Sequence, residues 1–255
     1  MFKKGSDDMT SWEFPASNPV DLRVRIPAGC VTVRATATQT ATVTLETDRP
    51  GGRAERFLDD TQVEFDQGAL SVIAPDRFGI GRGGSLDVTV EVPAGSSCLV
   101  HTASADVRCT GELSALDVHT ASGDVSADLV NGVARAATAS GDVYVAQAVE
   151  ADLQSASGEV NIGQVTGPAR VSTVSGDIRI DAASGSRTEA KSTSGDIRVA
   201  VPPGIGVYLD LSTLSGSASS ELEPADESGG ADMTLNCRTL SGDVRVTTAA
   251  QPATR

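Results

Sequence analysis

The sequence has few of the residues from which catalytic sites and nucleic-acid surfaces are usually built. Aromatic residues make up 3% of its 255 residues, histidine occurs twice, and 20 basic residues compare with 34 acidic ones, a formal net charge of −14. Two histidines leave little material for a histidine-based catalytic site. Because nucleic acids are bound mainly by Lys and Arg that neutralise phosphates, this charge argues against a nucleic-acid partner. The same net charge also argues against binding to an anionic membrane surface.

Long apolar segments are missing as well. No stretch reaches the ~18 consecutive apolar residues that a membrane span needs, so no membrane insertion is predicted. Residues 1–10 carry no apolar run of the secretory type and are predicted to be a disordered leader, with Met9 as an alternative start. The four cysteines are Cys30, Cys98, Cys109 and Cys237. None forms a C-x-x-C pair, so we predict a cytoplasmic protein with reduced thiols and no zinc site.

A six-residue phrase, Thr-x-Ser-Gly-Asp-Val, recurs through the last two thirds of the chain. Clear copies are Thr120–Val125 and Thr138–Val143. The central serines of the copies are Ser104, Ser122, Ser140, Ser157, Ser175, Ser194, Ser215 and Ser241. They follow one another at near-constant intervals that lengthen only before Ser215 and Ser241. Such spacing is typical of a solenoid, in which each repeat stacks on its neighbours.

Apolar and polar residues alternate on both sides of each central serine. The third residue after it is apolar in every copy, as at Val125, Val143 and Ile178. A period of two predicts β-strands on both sides of a Ser-Gly-Asp corner. No strand can bury its apolar side alone, so the coils must stack. The sequence predicts an all-β fold, a parallel β-solenoid or β-helix with coils of about 18 residues over residues 97–248, followed by a tail at 249–255.

Residues 11–96 alternate less regularly. Strand-like runs such as Val20–Ile26 and Leu86–Val92 are separated by turn signals at Pro27–Gly29 and Pro93–Gly95. The open end of a solenoid is a sheet edge that needs cover. This region is therefore predicted to be an irregular β-strand part that caps and continues the solenoid. An independent β-sandwich is the alternative.

The serial Thr-x-Ser-Gly-Asp repeats, with Pro-Ala-Gly-x-x-Cys-Leu-Val at residues 93–100, resemble a bacterial family of β-strand-repeat proteins named as candidate adhesins. This family is a domain of unknown function, and the resemblance covers about residues 11–248. The actinobacterial members that look closest lack export signals. The resemblance implies a parallel, right-handed β-helix and an adhesin-like role. It transfers no catalytic residue.

The corner acids suggest two different chemistries. Asp124, Asp142, Asp177 and Asp196 each follow a central serine by two residues. Stacked carboxylates offer the oxygen ligands that Ca²⁺ prefers. In the alternative, turn chemistry, Asp and Ser accept hydrogen bonds from nearby backbone N–H groups. Because the G-G-x-G-x-D nonapeptide of calcium-binding β-rolls is absent, turn chemistry is favoured and no cofactor is predicted.

His101 and His119 occupy one outward column, a single coil apart. Two imidazoles in this arrangement could hold a metal ion between them. The column continues with Ala137, which supplies no third ligand. Two solvated surface histidines are therefore the favoured interpretation.

Three residues are predicted to contact a partner: Arg77, Arg82 and Tyr144. Arg77 precedes Gly79–Gly84, which has the spacing of a G-x-G-x-x-G motif, and Arg82 lies within it. That motif binds dinucleotides only before a helix, and a strand-like run follows here, so a hairpin loop is predicted. Its arginines form a locally basic spot for an acidic partner. Tyr144 is an outward-facing aromatic residue.

The sequence predicts a protein that is not an enzyme. No serine lies in a G-x-S-x-G elbow, and the corner serines have no partnering histidine. We expect a scaffold or interaction protein whose ends or faces bind a protein partner or a second copy. A carbohydrate-binding or carbohydrate-active β-helix is one alternative, since β-helices host polysaccharide-cleaving enzymes. A calcium-stabilised solenoid is the other.

Overall fold

The structure, a computed structural model, describes residues 9–47, 57–75, 85–222 and 232–250 and the backbone of residues 2–6. Within these ranges the chain is all-β, as predicted, apart from a helical turn at residues 57–60. No described helix is long and apolar enough to cross a membrane. The chain divides into two compact units, Met1–Gly132 and Val133–Arg255.

The strands follow one another through both units. They are β1 (Phe2–Ser6), β2 (Met9–Pro15), β3 (Asp21–Thr36), β4 (Thr40–Thr47), β5 (Gln62–Asp66), β6 (Ala69–Ile73), β7 (Leu86–Pro93), β8 (Ser96–Ser122), β9 (Val125–Ser140), β10 (Val143–Ser157), β11 (Val160–Val165), β12 (Ala169–Ser175), β13 (Ile178–Ala183), β14 (Arg187–Lys191), β15 (Ile197–Val201), β16 (Val207–Ser215), β17 (Ala218–Ser220), β18 (Met233–Ser241) and β19 (Val244–Thr248).

In the first unit, β3 is the central strand. It lies parallel to β8 on one side and parallel to β6 and β7 on the other. Val24 and Val31 of β3 pair with Val100 and Val107 of β8. All four valines are buried, as the alternation of apolar and polar residues predicts. β3 therefore stacks on the first repeat in the manner of a further coil.

The remaining strands of the first unit pair in the antiparallel direction. β4 lies between β2 and β7, β5 pairs with β6, and β1 pairs with β2. Trp12 and Phe14 of β2 are buried, and Phe14 stacks on Phe65 with 5.4 Å between ring centroids. β1 lies within residues 1–10, for which the sequence predicts disorder.

The second unit contains two parallel ladders of strands. One runs β10–β11–β13–β15–β19–β17, and the other runs β10–β12–β14–β18–β16. Val143 pairs with Val160, Val160 with Ile178, and Ile178 with Ile197, each step being one repeat along the sequence. Residues that occupy the same position of the repeat are thus neighbours across the ladder.

The order of coils in the second unit departs from the order in the sequence. β18 lies between β14 and β16, and β19 lies between β15 and β17. Among the described strands, the coil of β16 and β17 therefore ends this stack, although it precedes β18 and β19 in the chain. The long segment between Ser215 and Ser241 gives the chain enough length to place the coil of β18 and β19 between the coil of β14 and β15 and the coil of β16 and β17.

The core consists of the apolar columns of the repeat. Their members are buried in every described coil except the coil of β16 and β17. There Leu209 and Leu211 are only half-buried, while Ala218 and Ser220 are exposed. The physical reason is the coil order, because no described strand packs on the outer side of β16 and β17.

Three of the four cysteines belong to this core. Cys98, Cys109 and Cys237 are buried, Cys30 is half-buried, and all four are free thiols. Burial raises the pKa of the Cys237 thiol to about 12. A hydrogen bond with Cys109, together with burial, raises the pKa of Cys98 well above its ordinary range. These thiols pack as small apolar side chains.

Candidate functional site

Most of the threonines and serines that begin the repeated phrase bond to the neighbouring coil. In five copies the hydroxyl two residues before the central serine donates to a glycine carbonyl in that coil: Ser155, Thr173, Ser192, Thr213 and Thr239. Thr120 instead bonds to Ser122 O of its own coil, and the buried Thr138 hydroxyl has no hydrogen-bond partner among the described residues. Thr173 Oγ1 lies 3.3 Å from Gly158 O, and Ser192 Oγ lies 3.2 Å from Gly176 O. These hydroxyls are largely buried, so the bonds satisfy groups that water cannot reach. Sequence reasoning did not identify this role, although the near-invariant Thr or Ser at this position of the repeat signals it.

The corner glycines allow the coils to approach each other. Gly195 has a φ of +152°, and a Cβ added there would lie 2.1 Å from the carbonyl oxygen of Gly176. Any side chain would therefore collide with the backbone of the coil beside it. Glycine at this corner is a packing requirement.

The corner acids accept backbone N–H groups from the neighbouring coil. The bonds are Asp124 N to Asp106 Oδ1 at 3.0 Å in the first unit and, in the second, Glu159 N to Asp142 Oδ1 at 2.8 Å, Asp196 N to Asp177 Oδ1 at 2.8 Å, Asp243 N to Asp196 Oδ1 at 2.9 Å and Ser217 N to Asp243 Oδ1 at 2.8 Å. We call these five accepting carboxylates the corner-acid ladder. Hydrogen bonds to a carboxylate favour its charged form. Accordingly, the backbone N–H and then the hydroxyl of Ser217 lower the pKa of Asp243.

The residues proposed as calcium ligands belong to this arrangement. Asp142, Asp177 and Asp196 each hold a backbone N–H of the next coil, and the N–H of Asp124 is itself held by Asp106. Within the described residues, no three His, Cys, Asp or Glu side chains are grouped so as to hold a metal ion. These hydrogen bonds join one coil to the next, across 17 to 47 residues of sequence, and so differ from the local turn bonds that the sequence favoured.

The two histidines lie side by side on the surface of the first unit. The ring centroids of His101 and His119 are 5.2 Å apart, and the rings are tilted by 41°. Asp117 Oδ1 lies 3.1 Å from His119 Nε2. Arg25 is the residue opposite His101 on β3, so a cation in this site would meet a positive charge. Among the described residues, the two imidazoles and Asp117 do not form a group that could hold a metal ion.

Tyr144 begins a row of outward-facing residues in the second unit. Successive partners in the row are Tyr144, Asn161, Arg179, Arg198 and Arg245. We call this the tyrosine–arginine row. Tyr144 is 49% exposed, and the three arginines are exposed as well. Sequence reasoning selected Tyr144 alone. The arginines share its position in the repeat, and the register shows that they are adjacent.

Like charges paired directly across strands are unfavourable. In this row Arg179 faces Arg198, and Arg198 faces Arg245. Nearby acids partly offset the cost. Arg179 Nε lies 2.6 Å from Oδ1 of Asp181 on the same strand, and Arg198 lies 2.8 Å from Oδ2 of Asp196, the corner residue before its strand. Asp181, Asp196 and Asp243 each lie two residues from an arginine of the row, so neighbouring acids offset much of its positive charge, and Arg245 is the arginine left without an ion pair in the described part of the chain.

A shallow groove of about 200 Å³ lies on the β10–β12–β14 ladder of the second unit. Its charged lining residues are Arg135, Glu150, Asp152, Arg170, Arg187 and Glu189. Arg170 lies 3.6 Å from Glu189, and a hydrogen bond with Lys191 lowers the pKa of Glu189. Three bases face three acids, so the groove has no net charge to select a ligand. It contains no nucleophile beside a base.

The remaining predicted contact residues lie outside the described part of the chain. These are Arg77 and Arg82, the second of which belongs to the segment Gly79–Gly84. The described site residues therefore comprise the corner-acid ladder, the histidine pair, the tyrosine–arginine row and the groove.

Comparison with known proteins places these features in a family. Residues 22–252 match the Toastrack DUF4097 family. The chain belongs to the Toastrack family. This family has a β-solenoid-like repeat fold, in agreement with the stacked parallel strands described above. Its match supports the adhesin-like resemblance that the repeats indicated.

Two solved structures are similar in fold to this chain. A candidate adhesin from Bacteroides fragilis is 13% identical, with a TM-score of 0.56, and the match covers 95% of this chain and 98% of that one. A candidate lipid-binding protein from Parabacteroides distasonis is 13% identical, with a TM-score of 0.58 and the same coverage of 95% and 98%. At this identity the likeness concerns the fold alone. No curated protein matches the sequence.

Proposed function

We propose that this Toastrack protein is a non-enzymatic scaffold that binds a partner protein through the tyrosine–arginine row. The observation that carries the proposal is the alignment of Tyr144 with Arg179, Arg198 and Arg245 on one outward face. Tyr and Arg are the side chains that contribute most often to the binding energy of protein interfaces. The adhesin description of the Bacteroides fragilis protein is in keeping with an interaction role.

The absence of an enzymatic role is inferred from how the repeated residues are used. The hydroxyl, the glycine and the carboxylate of the repeated phrase each serve the contact between coils. Catalysis needs a nucleophile or a general acid–base group with a reactive partner in hydrogen-bond reach. The described corners hold most of the earlier Thr or Ser hydroxyls and most of the carboxylates in structural bonds, and none of their central serines is hydrogen-bonded to a histidine.

A row of arginines on an acidic chain favours an acidic contact on the partner. The formal net charge of −14 repels acidic surfaces in general, so attraction is expected at Arg245, which has no ion-pair partner among the described residues. Charge complementarity of this kind acts on association rate and specificity more than on affinity. We therefore expect binding to weaken as salt is raised.

The finer features of the fold form part of the proposal. We infer that the repeats wind as coils of about 18 residues, with the right-handed winding that the family resemblance implies. The pairing of each strand with the equivalent strand of the next repeat supports this coil size. Residues 11–96 are proposed to cap and continue the solenoid, which the parallel pairing of β3 with β8 supports. The proposed location is the cytoplasm, where the four thiols would stay reduced.

The test compares two variants that remove the same charge from different faces. Arg198→Ser/Arg245→Ser changes the row, and Arg135→Ser/Arg187→Ser changes the groove. Each full-length protein is immobilised and exposed to an extract of the source cells, and the retained proteins are quantified at increasing salt. We expect a protein that wild type and the groove variant retain and the row variant loses by about tenfold, corresponding to about 1.4 kcal/mol.

Equal retention by both variants would contradict the proposal. The carbohydrate alternative is tested with the same proteins on a glycan array. Saturable glycan binding that survives in the row variant, or hydrolysis of a bound glycan, would favour that alternative over a protein scaffold.

A further inference from the structure

The last coil of the second unit carries a free backbone edge. Among the described strands, β16 pairs only with β18. The Gly206 carbonyl accepts the Met233 N–H at 3.1 Å, so residue 206 directs its backbone polar groups toward β18. These groups alternate in direction along a strand. The N–H and C=O groups of Val207, Leu209 and Leu211 therefore face away from the stack.

The same coil leaves apolar side chains uncovered. Leu209 and Leu211 are half-buried, whereas their partners Leu235 and Cys237 are fully buried. On the outward side of β16, Tyr208 is 62% exposed and Leu214 is 84% exposed. A long, exposed and apolar edge strand is a template for pairing with another strand.

Charge does not protect this edge from a second acidic chain. Within residues 207–220 the single charged side chain is Asp210. It is bound by Arg238 and by Asn236, each at 2.8 Å. Proteins commonly place unpaired charges on edge strands to prevent association. Here the one charge is neutralised, although the whole chain carries −14.

We propose that β16 pairs with β16 of a second copy, antiparallel about a two-fold axis at Leu211. In this register Tyr208 of one copy faces Leu214 of the other, and the two uncovered apolar side chains meet. Leu209 faces Thr213, and Asp210 faces Ser212. The central residue, Leu211, has the outward-directed N–H and C=O that an antiparallel hydrogen-bonded pair requires.

The residue pattern of β16 favours a second copy of the chain as the pairing partner, and it favours the register with the two-fold axis at Leu211. A two-fold axis at Asp210 would place that carboxylate against its own copy, and an axis at Leu209 would leave Leu214 without a partner. Only a self-complementary patch can form an isologous dimer interface. The inference goes beyond the proposed function, because the tyrosine–arginine row lies on other strands and its partner would not cover β16.

The first experiment measures the solution mass of the full-length chain by light scattering on a sizing column, over a range of concentrations. Wild type is expected at twice the 26.0 kDa mass of one chain. Tyr208→Glu/Leu214→Glu places like charges opposite each other and is expected to give a monomer. Tyr208→Lys/Leu214→Glu places opposite charges across the same pairs and is expected to restore the dimer. Val149→Glu/Val174→Glu, at exposed apolar positions elsewhere in the unit, is the matched control and should remain dimeric.

A second measurement tests the register without depending on charge. Cα atoms of facing residues in an antiparallel pair lie about 4.5–5.5 Å apart, within the range that a disulfide spans. In a Cys30→Ser background, a mixture of Tyr208→Cys and Leu214→Cys chains should form a cross-linked dimer. The oxidant is glutathione disulfide, which takes two electrons and two protons from the two thiols. Either chain alone should not cross-link.

Several results would overturn the inference. They are a wild-type monomer at the highest soluble concentration, a dimer that persists in Tyr208→Glu/Leu214→Glu, and an open-ended filament, which requires two different surfaces. A monomer that becomes a dimer when residues 223–231 are deleted would show that the chain's own segment occupies the edge in place of a second copy.

Discussion

The carboxylate of Asp177 accepts the backbone N–H of Asp196 at 2.8 Å, so the side chain of one corner holds the backbone of the next. Asp196 in turn accepts the N–H of Asp243 at 2.9 Å. A hydrogen bond to an ionised acceptor is worth more than a neutral one. The repeated acid therefore adds a bond at the corner, where the strand ladder leaves a donor unpaired.

Replacing Asp177 with alanine should destabilise the protein. Asp177→Ala removes the acceptor and leaves the Asp196 N–H to water, at an expected cost of about 1 kcal/mol because the corner is partly exposed. Asp181→Ala is the matched control, since Asp181 pairs with Arg179 on the surface and holds no backbone group. The measurement is the free energy of unfolding in urea. Equal losses in the two variants would contradict a structural role for the corner acid.

Replacing Gly195 with alanine should be far more damaging than replacing Gly204. Both glycines have positive φ, +152° and +85°, but a Cβ at Gly195 meets the Gly176 carbonyl at 2.1 Å, whereas one at Gly204 meets nothing within 4 Å. Gly204→Ala therefore costs only the backbone strain, about 1 kcal/mol. Gly195→Ala adds a displacement of two coils, for about 3 kcal/mol or more in total. Thermal unfolding of the two variants checks this, and similar melting temperatures would show that the coils are not in close contact.

Lowering the pH should destabilise the protein, in part because the carboxylate of Asp243 becomes protonated. The bonds from Ser217 lower the pKa of Asp243 in the folded state. A carboxyl group whose pKa is lowered by folding contributes stability above its ordinary pKa, and this contribution is lost as the pH falls through the lowered value. Urea unfolding at a series of acidic pH values should show a shallower loss for Asp243→Asn than for wild type. Parallel pH profiles would mean that Ser217 does not hold the carboxylate in solution.

Thiol reactivity should separate Cys30 from the other three cysteines. Cys98, Cys109 and Cys237 are buried, and burial raises the pKa of Cys237 to about 12, so little thiolate is available to react. A disulfide reagent such as Ellman's is expected to modify the half-buried Cys30 in the native protein and all four thiols in denaturant. Cys30→Ser is the control and should show no rapid reaction. If that variant reacted rapidly with the reagent, the buried cysteines would have to become exposed to solvent in the native protein.

Calcium should leave the melting temperature unchanged. The corner carboxylates are engaged with backbone N–H groups, and a cation would have to displace those donors. We expect the same melting curve with excess Ca²⁺ and with EDTA. A melting temperature that rises with Ca²⁺ and falls with EDTA would support the calcium-stabilised alternative.

Much of the fold could be predicted because the repeat is visible in short stretches of consecutive residues. Val143, Val160 and Ile178 occupy one position of the phrase and are neighbours across the ladder. The inside–outside pattern follows from the period of two, which needs no knowledge of distant contacts. The position of the corner acids at turns also follows from local chemistry, because Asp beside glycine is typical of turns, but their bonds to the next coil depend on how the coils stack.

The order of the last two coils could not be predicted in this way. The long interval between Ser215 and Ser241 allows either coil to lie outermost. The choice depends on which strand packs best on β14 and β15, a contact between residues that are distant in the sequence, as between Ala190 and Cys237. For the same reason, the half-buried state of Leu209 and Leu211 was not apparent from the sequence.

The candidate interaction surface was predicted in part. The outward direction of Tyr144 follows from its position in the repeat, but a single exposed aromatic residue identifies no surface. The row becomes visible when residues are compared in the order of the ladder, which places Arg198 next to Arg245 although a whole further coil separates them in the sequence. The insertion before the last coil hides this adjacency in the sequence.

The central claim is that the repeated Thr-x-Ser-Gly-Asp corners hold neighbouring coils together. Amide hydrogen exchange measured by NMR tests it most directly, at the N–H groups of Glu159, Asp196, Asp243 and Ser217. The account predicts that these amides exchange slowly despite their position at exposed corners, and that Asp177→Ala accelerates exchange at Asp196 ahead of the other three. Exchange of all four at the rate of unprotected turn amides would contradict it.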